Sequence, residues 1–280
     1  MGPRQTTLGA AVELAGVGLH GGRPCRMTLA PAPADTGIVW QRVDLPGRPA
    51  VPAAVEYVIN TERATSIGRG EAVIRTVEHV MAALAAMGVD NALVQLDGEE
   101  PPFADGAAAE FVRLIQQAGV VELDAPRRVR VLTAPVWVGE GDGFIVALPA
   151  PHYRISYTFV TDHPALGTQF ADFVIDAATF GRDIAPARTV GWLREVEALR
   201  RRGLGLGITA DAAVVATDTG LLAPMRFPNE VARHKVLDIV GDLALAGRLA
   251  GVHVVAFRSG HALHVELARR LKNLTEEDAH

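Results

Sequence analysis

Along the first third of the chain, apolar residues alternate with polar ones, switch to a helical spacing, then alternate again. Thr7 to Leu14, Arg26-Met27-Thr28-Leu29 and Gly37 to Val43 predict strands, because successive strand side chains face opposite sides. Short β-prone pieces surround Asn60-Thr61-Glu62 between Val55 and Ile67. Val77, Val80, Met81, Leu84 and Met87 follow i, i+3, i+4, i+7 spacing. That predicts a helix opened by Thr76 as N-cap and closed by Gly88. Asn91 to Leu96 alternates once more, and a helix from Ala107 to Ala118 ends at Gly119.

Glu122 to Arg128 reads as a linker, and then the pattern restarts. Val146-Ala147-Leu148-Pro149-Ala150-Pro151 echoes Thr28-Leu29-Ala30-Pro31-Ala32-Pro33 at an offset of 149 − 31 = 118. A helical run from Glu230 to Ala250, the turn at Gly251, a strand from His253 to Phe257 and a helix after Ser259-Gly260 echo Thr76 to Ala118. There Gly251 matches Gly88 at an offset of 163, so roughly 45 residues are inserted between Asp176 and Asp218. The insertion predicts a helix from Arg188 to Arg201 followed by Gly203-Leu204-Gly205-Leu206-Gly207. The expected fold is α+β, with two similar units, 1–126 and 127–280. Each has a mainly antiparallel sheet and two helices, the helix layers pack between the sheets, and the insertion (about 176–218) belongs to the second unit.

At 280 residues and 49% hydrophobic, the chain can bury a large core. Its 27 basic and 32 acidic residues give a net charge of −5, and no basic run exceeds Arg200-Arg201-Arg202. That balance excludes a nucleic-acid binder relying on phosphate neutralisation. Cys25 is the only cysteine, which excludes an internal disulfide and a cysteine zinc site. No apolar stretch suits an integral membrane segment, and the N-terminus lacks a signal-peptide core. Met1-Gly2-Pro3-Arg4-Gln5-Thr6 matches only the loose myristoylation pattern. The expectation is a cytoplasmic monomer. Only Lys235 and Lys272 are lysines; the other basic residues are arginine.

Gly16-Val17-Gly18-Leu19-His20-Gly21 has the Gly-x-Gly-x-x-Gly spacing, but a loop and a strand follow it where a dinucleotide site needs a helix. Stronger chemistry lies in His234-Lys235-Val236-Leu237-Asp238. On a helix His234 and Asp238 are i and i+4 and share a face, which is how a helix offers two ligands to one zinc ion. The alternative is a solvated polar face. Asp242 continues that face roughly 12 Å from His234 at ~1.5 Å per residue, too far to share the ion, and fits a group that orients a histidine. Glu78 and His79 open the first helix, and His261 opens the last one, where a capping or core histidine is the alternative. If the two helix layers meet, His79, His234 and Asp238 converge with a fourth position open. Glu78 is then a candidate base, kept ionised by the helix dipole and a neighbouring cation, and His261 a candidate acid.

Several motifs together resemble the UDP-3-O-acyl-N-acetylglucosamine deacetylases, zinc enzymes of lipid A synthesis. They are Gly16-Val17-Gly18-Leu19-His20, Pro31-Ala32-Pro33-Ala34-Asp35-Thr36-Gly37, Thr76-Val77-Glu78-His79, Asp105-Gly106-Ala107-Ala108, Ala187-Arg188-Thr189, His234-Lys235-Val236-Leu237-Asp238 with Asp242, and Ser259-Gly260-His261-Ala262-Leu263. The resemblance runs from Gln5 to about Leu271. It implies zinc on His79, His234 and Asp238, Glu78 as base toward the attacking water, and His261 as acid toward the leaving amine, oriented by Asp242. It implies Thr189 on the oxyanion, Lys235 on the nucleotide diphosphate, and an acyl passage formed by the insertion.

Four positions depart from the family pattern. Val190 stands where an aromatic is common, Gly143 where a basic residue is common, and Ile208 and Ala212 where glycine and asparagine are usual. Val190 and Ile208 are therefore expected to shape the acyl passage and its chain-length preference. Two other functions fit the same residues: a zinc amidase for another N-acetyl sugar, and a nucleotide-sugar-lipid binder without turnover. The presence of both Glu78 and His261 favours catalysis.

Overall fold

Two five-stranded sheets repeat one topology. In the first, the order is Val12–Val17, Pro24–Pro31, Ala92–Leu96, Ile38–Arg42 and Ala50–Pro52. In the second it is Val136–Glu140, Gly143–Pro149, Val252–Phe257, Arg154–Phe159 and Gln169–Val174. Each sheet is antiparallel except for one parallel pair, formed by its third and fourth strands in that order. The two echoed prolines hold equivalent places, with Pro31 paired to Ala92 and Pro149 to Val252. This is the computed structural model of the chain, and it describes residues 2–209, 211–274 and 276–278.

Alternation sets the inner faces. Cys25, Met27 and Leu29 are buried from one strand, Ile145 and Ala147 from its counterpart. The helices are α1 (Glu78–Ala86), α2 (Ala109–Ala118), the single turn α3 (Ala177–Thr179), α4 (Leu193–Arg201), α5 (Glu230–Ala244) and α6 (His261–Lys272). α1 packs against α2 and α5, and α5 against α6. α2 lies on the first sheet, while α5 and α6 lie on the second. One continuous core, from Trp40 and Leu84 to Leu237, Ile145 and Ile155, joins both sheets and these helices. Among the described residues, no helix is long and apolar enough to cross a membrane.

Several boundaries differ from the sequence expectation, each because a distant partner intervenes. Thr76 does not cap α1. It sits at a positive φ of 56° with its hydroxyl unpartnered, and the helix starts at Glu78. The bend is held by Val77 N–H donating to the Thr65 carbonyl, and it turns Glu78 and His79 inward. The supposed linker overlaps the strand Val120–Pro126, paired antiparallel with Arg4–Leu8. α5 ends at Ala244, and Leu249–Ala250 becomes a strand parallel to Arg128–Val131. In the insertion, Val190–Trp192 pairs in parallel with Val214–Ala216, which leaves only Leu193–Arg201 helical.

The glycine-rich turn near the N-terminus serves the protein itself. His20 and Gly21 donate their backbone N–H groups to the Glu100 carboxylate, and a Cβ on Gly18 would meet that carboxylate at 2.4 Å. Leu206 and Gly207 donate to the His20 and Leu19 carbonyls, so the insertion docks on this turn.

α5 crosses α1 closely at Gly241. A Cβ on Gly241 would lie 2.0 Å from the Glu78 carbonyl oxygen. Gly241→Ala should push the two helices apart at a cost of about 1–3 kcal/mol, the usual scale for overpacking. A urea midpoint equal to that of the parent chain would show that the helices part without penalty.

Candidate active site

The α1–α5 crossing buries several groups that ordinarily seek water. Glu78 and His79 come from the first turn of α1, and His234, Asp238 and Asp242 from one face of α5; all five are buried. His261 enters from the start of α6 and is about one-tenth exposed.

The ring planes of His79 and His234 meet at 83°, with centroids 5.0 Å apart. Nε2 of His234 lies 3.4 Å, and Nε2 of His79 3.9 Å, from Oδ1 of Asp238. Nδ1 of His234 is 2.9 Å from the Ala187 carbonyl oxygen, so it must donate there, and Nε2 presents a lone pair. Burial pushes the His79 imidazole down to about 3 and lowers His234 as well, which keeps both rings neutral. For Asp238, burial opposes ionisation, but Lys235 and then the histidines outweigh it and hold the carboxyl far below its ordinary range. Lys235 Nζ donates to Oδ2 at 2.8 Å, while Oδ1 has no donor among the described residues. The His234 lone pair thus faces an unsatisfied carboxylate oxygen, acceptor against acceptor, with the neutral His79 ring beside them. Such an arrangement is costly unless a cation lies between. The three ligand atoms all lie within 4.8 Å of one another, and two imidazoles with a carboxylate are a donor set that suits zinc. The residues fit the group.

Asp242 is a hub beside this pocket. Its Oδ1 accepts from the Thr65 hydroxyl at 2.6 Å, and its Oδ2 from Nδ1 of His261 at 2.8 Å and Nδ1 of His264 at 2.9 Å. Nε2 of His264 then accepts from the Ser259 hydroxyl at 2.9 Å. With Nδ1 committed, His261 turns Nε2 inward, 3.9 Å from Asp238 Oδ2. Burial alone would discharge His261; Asp242 and Asp238 reverse that and raise it to about 9. Glu78 differs from the sequence expectation of a permanently ionised carboxylate. Burial pushes it up to about 8, only partly offset by His261, although the Thr65 N–H donates to Oε2 at 3.0 Å. A divalent cation next door acts in the same direction as His261 and favours the charged form.

The remaining candidates are placed by the insertion. Arg188 and Glu230 form a buried pair at 2.9 Å, and Arg188 also donates its backbone N–H to Glu230. This pair ties the Ala187–Thr189 segment to the start of α5 and so brings the Ala187 carbonyl to His234. Thr189 is fixed through its backbone, donating to Gly106 and accepting from Val214. Val190 packs into a small cluster with Leu166, Val214 and Val231. Ile208 touches the cluster of Leu19, Phe103 and Ala212. It also lines a cavity of about 210 Å3 with Leu193, Val196, Leu199, Leu204 and Leu222. Lys235, read from sequence as a diphosphate contact, has a partner inside the site in Asp238.

Sequence reasoning missed Thr65, His264 and the Arg188–Glu230 pair. His264 carried a signal, because it is i+3 from His261 and shares its helix face. Thr65 carried none.

Two helices that bring candidate ligands together, flanked by a carboxylate and a histidine, form an arrangement suited to hydrolysis. The chain belongs to the family described as LpxC: UDP-3-O-acyl N-acetylglycosamine deacetylase, whose model matches residues 5–273. It is 45% identical over 269 residues to the UDP-3-O-acyl-N-acetylglucosamine deacetylase of Myxococcus xanthus, covering 95% of this chain and 86% of that one. It is 46% identical over 270 residues to the deacetylase of that name from Geobacter sp. (strain M21), with 95% and 88% covered. The Trichormus variabilis protein of the same name is 41% identical over 278 residues, with 97% and 99% covered.

The pocket predicts that His79→Ala lowers bound zinc and activity together. Lys235→Ala should lower zinc affinity too, because Asp238 loses the donor that holds Oδ2. Metal analysis after dialysis against a graded chelator measures both. Full zinc retention in His79→Ala would remove that residue from the ligand set.

Proposed function

We propose that this chain removes the acetyl group from the glucosamine nitrogen of UDP-3-O-acyl-N-acetylglucosamine, a step of lipid A biosynthesis, with zinc held by His79, His234 and Asp238. The observation that carries the reading is the buried Asp238 Oδ1, which has no donor among the described residues and faces two imidazole nitrogens. The names of the relatives supply the substrate class.

When bound, zinc supplies Lewis acidity toward the acetyl carbonyl and makes water easier to deprotonate. Glu78, at the start of α1, takes the proton of the attacking water. His261 gives the proton on Nε2 to the departing nitrogen, so water and amide become acetate and amine. Asp242 holds Nδ1 of His261 and favours its charged form. Thr65 and His264 hold Asp242 in turn, which fixes the direction of the His261 ring. The Thr189 hydroxyl is the assigned donor to the oxyanion. Lys235 keeps one N–H bond on Asp238 and has two more to offer the nucleotide diphosphate. The cavity lined by Ile208 and its leucine neighbours is the assigned acyl passage.

Acetate release from the UDP-linked acyl sugar by the zinc-loaded protein tests the reading; none above background would overturn it. The pH dependence should be bell-shaped. Glu78 must be ionised, so kcat/KM falls as pH drops through its pKa, which lies at about 8 without a cation and lower with one. His261 must be protonated, so kcat/KM falls again as pH rises through its pKa, which lies at about 9 without a cation and lower with one. His261→Ala should retain zinc, lose on the order of 10²–10⁴-fold in rate, and flatten the alkaline limb. An alkaline limb that survives in this variant would assign the acid to another group.

Ile208→Gly should improve turnover of longer acyl substrates, since removing a branched side chain relieves crowding in the passage. A chain-length profile identical to the parent's would mean that Ile208 does not meet the acyl chain.

A further inference from the structure

The duplicated sheets supply an internal comparison. The offset of 118 that aligns Pro31 with Pro149 also aligns Arg26 with Phe144 and Thr28 with Val146. Glu13 lies opposite Thr28, and Trp137 opposite Val146, so Trp137 holds the place of Glu13. Gln95 and Val255 correspond in the same way on the middle strands. In the first sheet these outward positions carry an ion pair, Glu13 with Arg26, as a face in contact with water ordinarily does. In the second, Trp137 stacks on Phe144 with ring centroids 4.7 Å apart, and Phe144 on Phe257 at 5.8 Å. The fold by itself therefore does not require aromatic side chains there.

The rings belong to a continuous apolar row. Ile145, Ala147, Val254 and Ala256 are buried, so Phe144, Val146, Val255 and Phe257 between them point to the other face. Thr158 lies opposite Phe257 on one side and Phe170 on the other, which carries the row to the far edge strand. At the two edges Trp137 is 54% and Phe170 56% exposed. Single exposed apolar residues are ordinary, but a contiguous apolar patch marks a surface that meets another.

Charge at the margin selects the partner. Arg258, directly after Phe257, pairs with Asp142 at 3.3 Å, and Arg154 pairs with Asp172 at 2.8 Å on the last two strands. Both arginines are already answered, and the chain carries a net charge of −5, which does not suit an anionic bilayer. A two-fold interface needs one patch that offers both signs, since each copy presents the same residues. Here arginines of one copy can meet aspartates of the other around an aromatic centre, the build of specific interfaces.

We propose that two copies of this chain associate face to face through the outer surface of the second sheet. Sheets pack in this way about 10 Å apart, with the facing side chains interdigitated. This departs from the monomer expected from the sequence.

Sedimentation equilibrium of the zinc-loaded protein, over a range that spans micromolar dissociation constants, tests this. The parent should form a dimer. Trp137→Glu with Phe144→Arg copies the Glu13–Arg26 pair onto the second sheet. It should weaken association on the order of 100-fold, the scale for losing a buried aromatic anchor. Phe170→Lys, on the opposite edge strand, is the independent variant and should weaken it on the order of tenfold. Glu13→Ala with Arg26→Ala, on the first sheet, should leave the dimer unchanged. A parent that stays monomeric throughout, or variants of the second sheet that associate as tightly as the parent, would overturn the proposal. So would a monomeric parent that binds phosphatidylglycerol vesicles and loses them on Trp137→Glu, since the face would then meet a lipid surface. None of these readouts involves substrate, so the result is independent of the proposed function.

Discussion

α5 crosses α1 with no side chain between them at Gly241, and the distances within the candidate site follow from that contact. A residue with a Cβ there would collide with the Glu78 carbonyl. The close approach brings His79 within reach of His234 and Asp238, and Glu78 within the field of His261. Farther along the same two helices, Ala85, Ala86 and Ala244 line a cavity.

Burying this many ionisable groups has an energetic cost that geometry must offset. Asp238 stays charged because Lys235 and the histidines surround it. Asp242 stays charged against its burial because His261, and then His264, answer it. The two imidazoles of the candidate ligand set are driven neutral by burial, which is the form that binds a metal. Charge is thus sorted along one face of α5: acceptors toward the pocket, and donors toward Asp242.

The repeated sheet topology has been put to unequal use. The outer face of the first sheet carries a polar ladder of Glu13, Arg26, Thr28, Gln41 and Gln95. The second carries the stacked rings of Trp137, Phe144 and Phe257. The insertion exists only in the second half, where Arg188 locks it to the head of α5. Topology fixes where helices lie; surface and insertion are free to diverge.

Periodicity was enough to read the strands and the long helices, and the echo of Pro31 in Pro149 pointed to the repeated sheet order. Those signals are local, since each residue's neighbours along the chain set its face. The i, i+4 spacing also put His234 and Asp238 on one side of α5 with Asp242 beyond them, which any α-helix would do. Tertiary structure decided what the spacing left open. It decided that Thr76 turns the chain instead of capping it, and that Val120–Pro126 is a strand and not a linker. It decided that Thr65, 177 residues from Asp242, donates to it. It also decided that Lys235 binds Asp238, and that burial lifts Glu78 to about 8. Each of these depends on which distant group fills the space beside a residue, and on how much water that group displaces, which neither pattern nor composition encodes.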